Sequence, residues 1–185
     1  MNIVAIVGSP RVHGNTNYLT DQVLEEAGKL GLETTKFDLT QYQINPCQGH
    51  DECGNFNSCP QRDDAELVLQ ALYEADGVIL ASPVYFYNVT AQLKALMDRS
   101  RFYRRHKQRM KAKCIGIITV AQGGGSEATA KTLLDYIKLT ATVPTERILQ
   151  VHALAKTEGE IAGNASAIEE ARSLGKSIAA ELLAS

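Results

Sequence analysis

The chain has no long apolar run, little net charge and few cysteines, and each shortage removes a class of protein. No stretch approaches the roughly 20 apolar residues that a membrane helix needs, so no spanning segment is expected. The apolar N-terminus is short and lacks a basic region ahead of it. That argues against a secretory signal and makes the cytoplasm the expected compartment. A net charge of −2, with 22% of residues charged, offers neither a basic face for nucleic acid nor an acidic tail. Four cysteines in a cytosolic chain read as ligands or core residues rather than disulfides. There is no serine–histidine–acid set, no pair of catalytic carboxylates, no internal repeat, no linker and no low-complexity segment. The 185 residues suffice for one domain with one sizeable core.

What is present is an alternation of short apolar runs with helical periods. The β-branched run 3–7 reads as a strand buried on both faces. A helix capped by Asn15, Thr16 and Asn17 follows, with Leu19, Val23, Leu24 and Ala27 on one side. Further strands are predicted over 33–39, 77–83, 114–121 and 145–153, and further helices over 63–74, 90–103, 127–140 and 160–183. Five strands alternating with five helices imply an α/β three-layer sandwich, a parallel sheet covered on both faces across 1–185. In such sheets a ligand sits beyond the carboxyl ends of the strands where their order reverses. With order 2-1-3-4-5 that point falls between strands one and three, and the ends of strands one, three and four converge.

Three loops leave those ends. The first reads Gly-Ser-Pro-Arg-Val-His-Gly-Asn-Thr-Asn over 8–17 and opens onto a helix N-terminus, where free N–H groups and the helix dipole favour an anion. Ser9, Asn15, Thr16 and Asn17 add neutral donors, Gly14 a bare backbone, and Arg11 a guanidinium that forks onto phosphate. This loop lacks the Gly-Lys-Ser/Thr ending of a triphosphate loop and the G-x-G-x-x-G spacing of a dinucleotide fold. It suits a single phosphomonoester, or else it is an ordinary capped turn. The second loop holds Pro83, Val84, Tyr85, Phe86, Tyr87 and Asn88, and its three consecutive aromatics cannot all enter one core face. The third holds Gln122, Gly123, Gly124 and Gly125, whose bare backbone admits a planar ligand closely. A phosphorylated, flat, partly apolar cofactor is implied, and flavin mononucleotide (FMN) fits best.

On these motifs the chain resembles the NADPH-dependent FMN reductase and iron–sulfur flavoprotein group of the flavodoxin-like fold. Gly8-Ser9-Pro10-Arg11 with Gly14-Asn15-Thr16 is similar to that family's phosphate loop. Ala75-Asp76-Gly77 leading into Ser82-Pro83-Val84-Tyr85-Phe86, then Leu93-Lys94-Ala95-Leu96-Met97-Asp98-Arg99, resembles its second signature. The resemblance covers roughly the first three quarters of the chain by order and spacing of motifs. It implies Ser9, Arg11, Asn15, Thr16 and Asn17 at the FMN phosphate, residues 83–88 beside the ring and ribityl chain, and the glycines after Gln122 flanking the ring.

The segment 45–62 is a second informative region. Cys47, His50, Cys53 and Cys59 follow C-x2-H-x2-C-x5-C in a connection long enough to be functional. Iron–sulfur flavoproteins resemble this stretch but carry a fourth cysteine where His50 stands. A neutral imidazole in place of a thiolate raises a cluster's potential. Three readings stand: a [4Fe–4S] cluster, a Cys3His zinc site and a lid without metal. Whichever holds, the four side chains are expected within reach of one another near the flavin edge. The basic run from Arg99 to Lys113 reads as a solvated helix end, or as a site for the extra phosphate of NADPH or for an acidic protein. Cys114 reads as core, His13 as a phosphate contact or an exposed loop histidine, and His106 and His152 have no partner in sequence.

Three functions are consistent with these features. One is an NAD(P)H-dependent reductase of flavin, quinone or another small acceptor. Another is an electron carrier fed by a ferredoxin-like partner, and the third is a nucleotide- or zinc-binding module without turnover. A homodimer or homotetramer is expected, with no nucleic acid and no membrane as partner.

Overall fold

Alternating side chains of the first apolar run point to opposite sides of the sheet, and both sides are buried. Ile3, Ala5 and Val7 pack with one layer of helices, and Val4 and Ile6 with the other. That double burial is why the run is apolar throughout rather than alternating. The computed structural model describes residues 1–184. Its five strands are β1 (Asn2–Val7), β2 (Glu33–Asp38), β3 (Gly77–Pro83), β4 (Cys114–Ala121) and β5 (Ile148–Leu154). All neighbours pair in parallel, in the order β2-β1-β3-β4-β5 expected from sequence.

Among the described residues six α-helices cover the sheet: α1 (Asn15–Lys29), α2 (Ala65–Glu74), α3 (Ala91–Arg99), α4 (Arg101–Arg105), α5 (Ser126–Thr140) and α6 (Ala165–Leu183). Leu19, Val23 and Ala27 of α1 and Leu174, Ile178 and Leu182 of α6 seal one face. Leu69 and Leu72 of α2, Leu93 and Leu96 of α3, and Leu133 and Ile137 of α5 seal the other. The α1 and α6 backbones approach so closely that a β-carbon on Gly175 would lie 2.4 Å from the Val23 carbonyl oxygen.

Several boundaries differ from expectation for reasons that lie elsewhere in the chain. Asn15, Thr16 and Asn17 are not caps; Gly14 holds the N-cap position, and the three side chains lie in the first turn. The helix expected over 90–103 is divided at Ser100, whose hydroxyl pairs with the Tyr136 hydroxyl at 2.7 Å. The final helix starts at Ala165 because the Asn164 side chain accepts from the Ala167 N–H, and a 3-10 turn occupies Glu160–Gly163. Likewise β5 begins after a 3-10 turn at Thr145–Arg147 that follows Pro144.

Candidate functional site

Parallel register brings β1, β3 and β4 to one rim: Val7 pairs with Ala81, and Pro83 with Val120. The loops that leave these strands enclose a pocket of about 360 Å³. Ser9, Pro10, Arg11, Gly14, Asn15 and Thr16 line it from the first loop, Pro83, Val84, Tyr85 and Phe86 from the second. Val120 and Gln122 close the β4 side, and Ala155 and Lys156 the side beyond β5. Among the described residues no carboxylate lines this pocket; its charged side chains are Arg11 and Lys156.

The first loop is fastened around one carbonyl. Arg11 O accepts from the Ser9 hydroxyl at 3.1 Å, the Gly14 N–H at 3.1 Å and the Asn17 amide at 3.0 Å. Gly8 is pressed against α3, since an added β-carbon would meet Leu93 Cβ at 2.7 Å. Thr90, the cap of α3, donates its hydroxyl to Gly8 O at 2.6 Å. Asn15 faces the β5–α6 connection: its amide donates to Thr157 O at 2.8 Å and its carbonyl accepts from Ile161 N–H at 3.2 Å. The loop is thus held from three sides, with the first-turn N–H groups of α1 and the Arg11 guanidinium left at its mouth.

The second loop is a two-residue turn. Tyr85 and Asn88 exchange both backbone hydrogen bonds at 2.9 Å, and Phe86 and Tyr87 have φ of 48° and 60°. This is type I′ geometry, which favours Asn-Gly and strains two aromatics by about 1–2 kcal/mol per residue. All three aromatics point outward, and Phe86 is fully exposed. Gly125, at φ 92°, makes room for the turn; a β-carbon there would meet Val84 Cγ1 at 2.9 Å and Tyr87 Cα at 3.2 Å.

Of the residues expected around a cofactor, Ser9, Arg11, Gly14, Asn15, Thr16, Pro83, Val84, Tyr85, Phe86 and Gln122 meet in the pocket. Tyr87 and Gly124 instead line a neighbouring cleft of about 550 Å³ with His152 and Leu154. Asn88 closes the turn, Gly123 lies on the surface, and Asn17 is buried beneath the loop. Sequence reading missed Lys156 and Ala155. The signal was available, because β5 ends at the same carboxyl rim as its parallel neighbours.

The cysteine-bearing segment takes a different place from the one expected. Arg99, buried at the end of α3, donates to Asp63 Oδ2 at 2.5 Å, Asn45 O at 3.1 Å and Cys59 Sγ at 3.4 Å. Asp63 also accepts from the N–H groups of Asn45 and Ala65. Burial raises the Asp63 pKa, but Arg99 and these N–H groups outweigh burial and hold it below the usual carboxylate value. The segment is therefore anchored at the end of α3, and its Asp51–Asn55 turn packs on α4.

None of Cys47, His50, Cys53 and Cys59 lines the cofactor pocket. Cys47 borders a cleft of about 890 Å³ with Arg101, Arg104, Arg105 and Lys107. Cys53 is buried beneath its turn, with His106 Nε2 3.1 Å from its carbonyl oxygen. The His50 ring stands edge-on to Phe56, and Cys59 faces Arg99. Among the described residues no three His, Cys, Asp or Glu side chains gather as a metal site. The departure has a cause in sequence: Arg99 continues the buried stripe of Leu93 and Leu96 at spacing three, and a buried cation must find partners.

Cys114 is core as expected; its thiol donates to Arg147 O at 3.2 Å, and burial pushes its pKa up to about 11. His152 does have a partner, Thr119 Oγ1, 2.7 Å from its Nδ1.

A parallel 2-1-3-4-5 sheet, an anion-seeking loop after β1, an aromatic turn after β3 and a glycine loop after β4 define a mononucleotide-binding protein of flavodoxin-like architecture. Residues 1–154 match the family described as NADPH-dependent FMN reductase, and the chain belongs to that family. It is 36% identical to an iron–sulfur flavoprotein of Methanocaldococcus jannaschii over 97% of this chain and 96% of the relative. It is 39% identical to an iron–sulfur flavoprotein of Archaeoglobus fulgidus over 78% of this chain and 66% of that one. The solved NAD(P)H:quinone oxidoreductase from Methanothermobacter marburgensis superposes with a TM-score of 0.77, covering 96% of each chain at 15% identity, a likeness of fold. Among the described residues no helix is long and apolar enough to cross a membrane.

Proposed function

We propose that the protein is an FMN-dependent oxidoreductase that draws electrons from NADH or NADPH and passes them to a flavin, a quinone or another small acceptor. The observation that carries this reading is the pocket, free of carboxylates among the described residues, in which the anion-seeking loop, the aromatic turn and Gln122 after β4 meet. The donor set fits FMN. Arg11, the Ser9 and Thr16 hydroxyls and the first-turn N–H groups of α1 would hold the phosphate. Tyr85 and Phe86 would lie against the ring, and the backbone after Gln122 would offer N–H groups where negative charge gathers. When bound, FMN supplies a ring that exchanges electrons singly or in pairs, leaving position and electrostatics to the protein. No side chain of this chain is assigned as acid or base.

Flavin released from the purified protein, or from protein reconstituted with flavins, should chromatograph as FMN, and NADH or NADPH should bleach it rapidly without oxygen. Recovery of FAD, or of no flavin even after reconstitution, would overturn the reading.

The names of the relatives support a second reading, an iron–sulfur flavoprotein-type carrier fed by a ferredoxin-like partner. It requires Cys47, His50, Cys53 and Cys59 to close up from the positions described above. Iron and sulfide analysis of protein prepared without oxygen tests it, together with reduction by a ferredoxin where nicotinamides fail. Either reading is of a cytoplasmic homodimer or homotetramer.

A further inference from the structure

The connection from β5 to α6 is built into the pocket, not laid beside it. Ala155 N–H donates to Ala121 O at 2.9 Å, continuing the sheet past the end of β5. The Gln122 amide donates to Lys156 O at 3.0 Å, and the Asn15 amide to the next carbonyl, Thr157 O, at 2.8 Å. The segment is therefore bolted on one side to the glycine loop and on the other to the residue that opens α1. Glu160 folds back beneath it, its carboxylate accepting from the Lys156 and Thr157 N–H groups at 2.7 and 2.8 Å. Those bonds hold the Glu160 pKa below its usual value. The N–H and carbonyl of Lys156 are thus both engaged, while Lys156 lines the pocket and its ammonium, within electrostatic reach of Glu160, makes no ion pair within 4.0 Å among the described residues.

We infer that Lys156 is a phosphate ligand of the bound mononucleotide, the second cation of the pocket alongside Arg11. The inference rests on the FMN reading above. Charge balance supports it. A phosphomonoester carries about −1.5 to −2 near neutral pH. The N-terminus of α1 offers about +0.5. Arg11 adds one positive charge, but Glu158 Oε2 lies 3.9 Å from its Nε and offsets part of it. A second cation narrows the difference, and Lys156, itself attracted by Glu160, is the other cation in the lining. Its position selects the phosphate end, because its neighbour Thr157 is tied to Asn15 in the first turn of α1.

The test compares FMN with riboflavin, which has the same ring and ribityl chain without the phosphate. Dissociation constants are read from flavin fluorescence for the wild type, Lys156→Gln and Lys156→Arg, with apo-protein melting as a check on folding. Lys156→Gln should weaken FMN by roughly ten- to a hundredfold, the span of one lost charge-assisted bond. It should leave riboflavin unchanged and lessen the salt dependence of FMN binding, and Lys156→Arg should recover most of the loss. Equal weakening of FMN and riboflavin would overturn the inference, because the lysine would then serve the ring or the wall. Wild-type affinity for FMN in Lys156→Gln would overturn it as well. A wild-type protein that binds no FMN fails the underlying reading and the inference with it, which separates the two failures.

Discussion

Arg99 and Asp63 meet at 2.5 Å with side-chain exposures of 2% and 0%, and the pair joins the end of α3 to the cysteine-bearing segment. Arg99 also reaches Asn45 O and Cys59 Sγ, so one guanidinium gathers positions 45, 59 and 63.

Removing one partner leaves the other charged and buried. Arg99→Met should destabilise the protein by about 3–5 kcal/mol, as does breaking a buried pair elsewhere. Arg99→Met combined with Asp63→Asn should recover much of that loss, because no uncompensated charge remains. Urea unfolding of the two single variants and the double variant measures this. Equal losses in the single and double variants would mean that the hydrogen bonds to Asn45 and Cys59 matter more than the charge pair.

The same carboxylate gives a pH dependence of known sign. Asp63 has a folded pKa below its ordinary 3.8, because Arg99 and two N–H groups outweigh the effect of burial. A depressed folded pKa adds stability that is complete above 3.8 and is lost as pH falls through the lower folded value. Melting temperature should therefore drop more steeply below pH 4 in the wild type than in Asp63→Asn/Arg99→Met, where the titrating group is gone. Parallel curves would deny Asp63 a special part in acid unfolding.

The aromatic turn should be replaceable at a gain in stability and a loss of binding. Phe86→Asn with Tyr87→Gly gives the residues that φ of 48° and 60° favour, and should raise stability by about 2–4 kcal/mol over the two positions. FMN affinity should fall in the same variant, since Phe86 leaves the pocket wall. Thermal melting and flavin titration read the two effects separately. A variant no more stable than the wild type would show that the turn carries no strain.

Much of this arrangement was legible in sequence because it is local. Val4 and Ile6, Val78 and Leu80, and Ile115 and Ile117 sit in apolar runs whose burial needs no distant information. Parallel connectivity then brings their loops to one rim. What escaped depends on pairs far apart in the chain. The interruption at Ser100 rests on a hydroxyl 36 residues away, and the course of the cysteine-bearing segment on Arg99, 36 residues beyond Asp63. Asn15 looks like a cap by its type, yet its amide bonds a carbonyl 142 residues later, a partner that outcompetes the local one. Lys156 entered the pocket through that same long-range contact.

The double hydrogen bond of Asn15 has a kinetic meaning. It joins the opening turn of α1 and the approach to α6 in a single frame through bonds that need no nucleotide. A ligand entering a frame already set loses only its own freedom, so little of the binding energy is diverted into ordering the protein. Encounter is then governed by diffusion and by the attraction of two cations for an anion, and residence time by the contacts made inside. Variants that spare the frame should differ mainly in how long the nucleotide stays, and those that cut Asn15 free should also slow its capture.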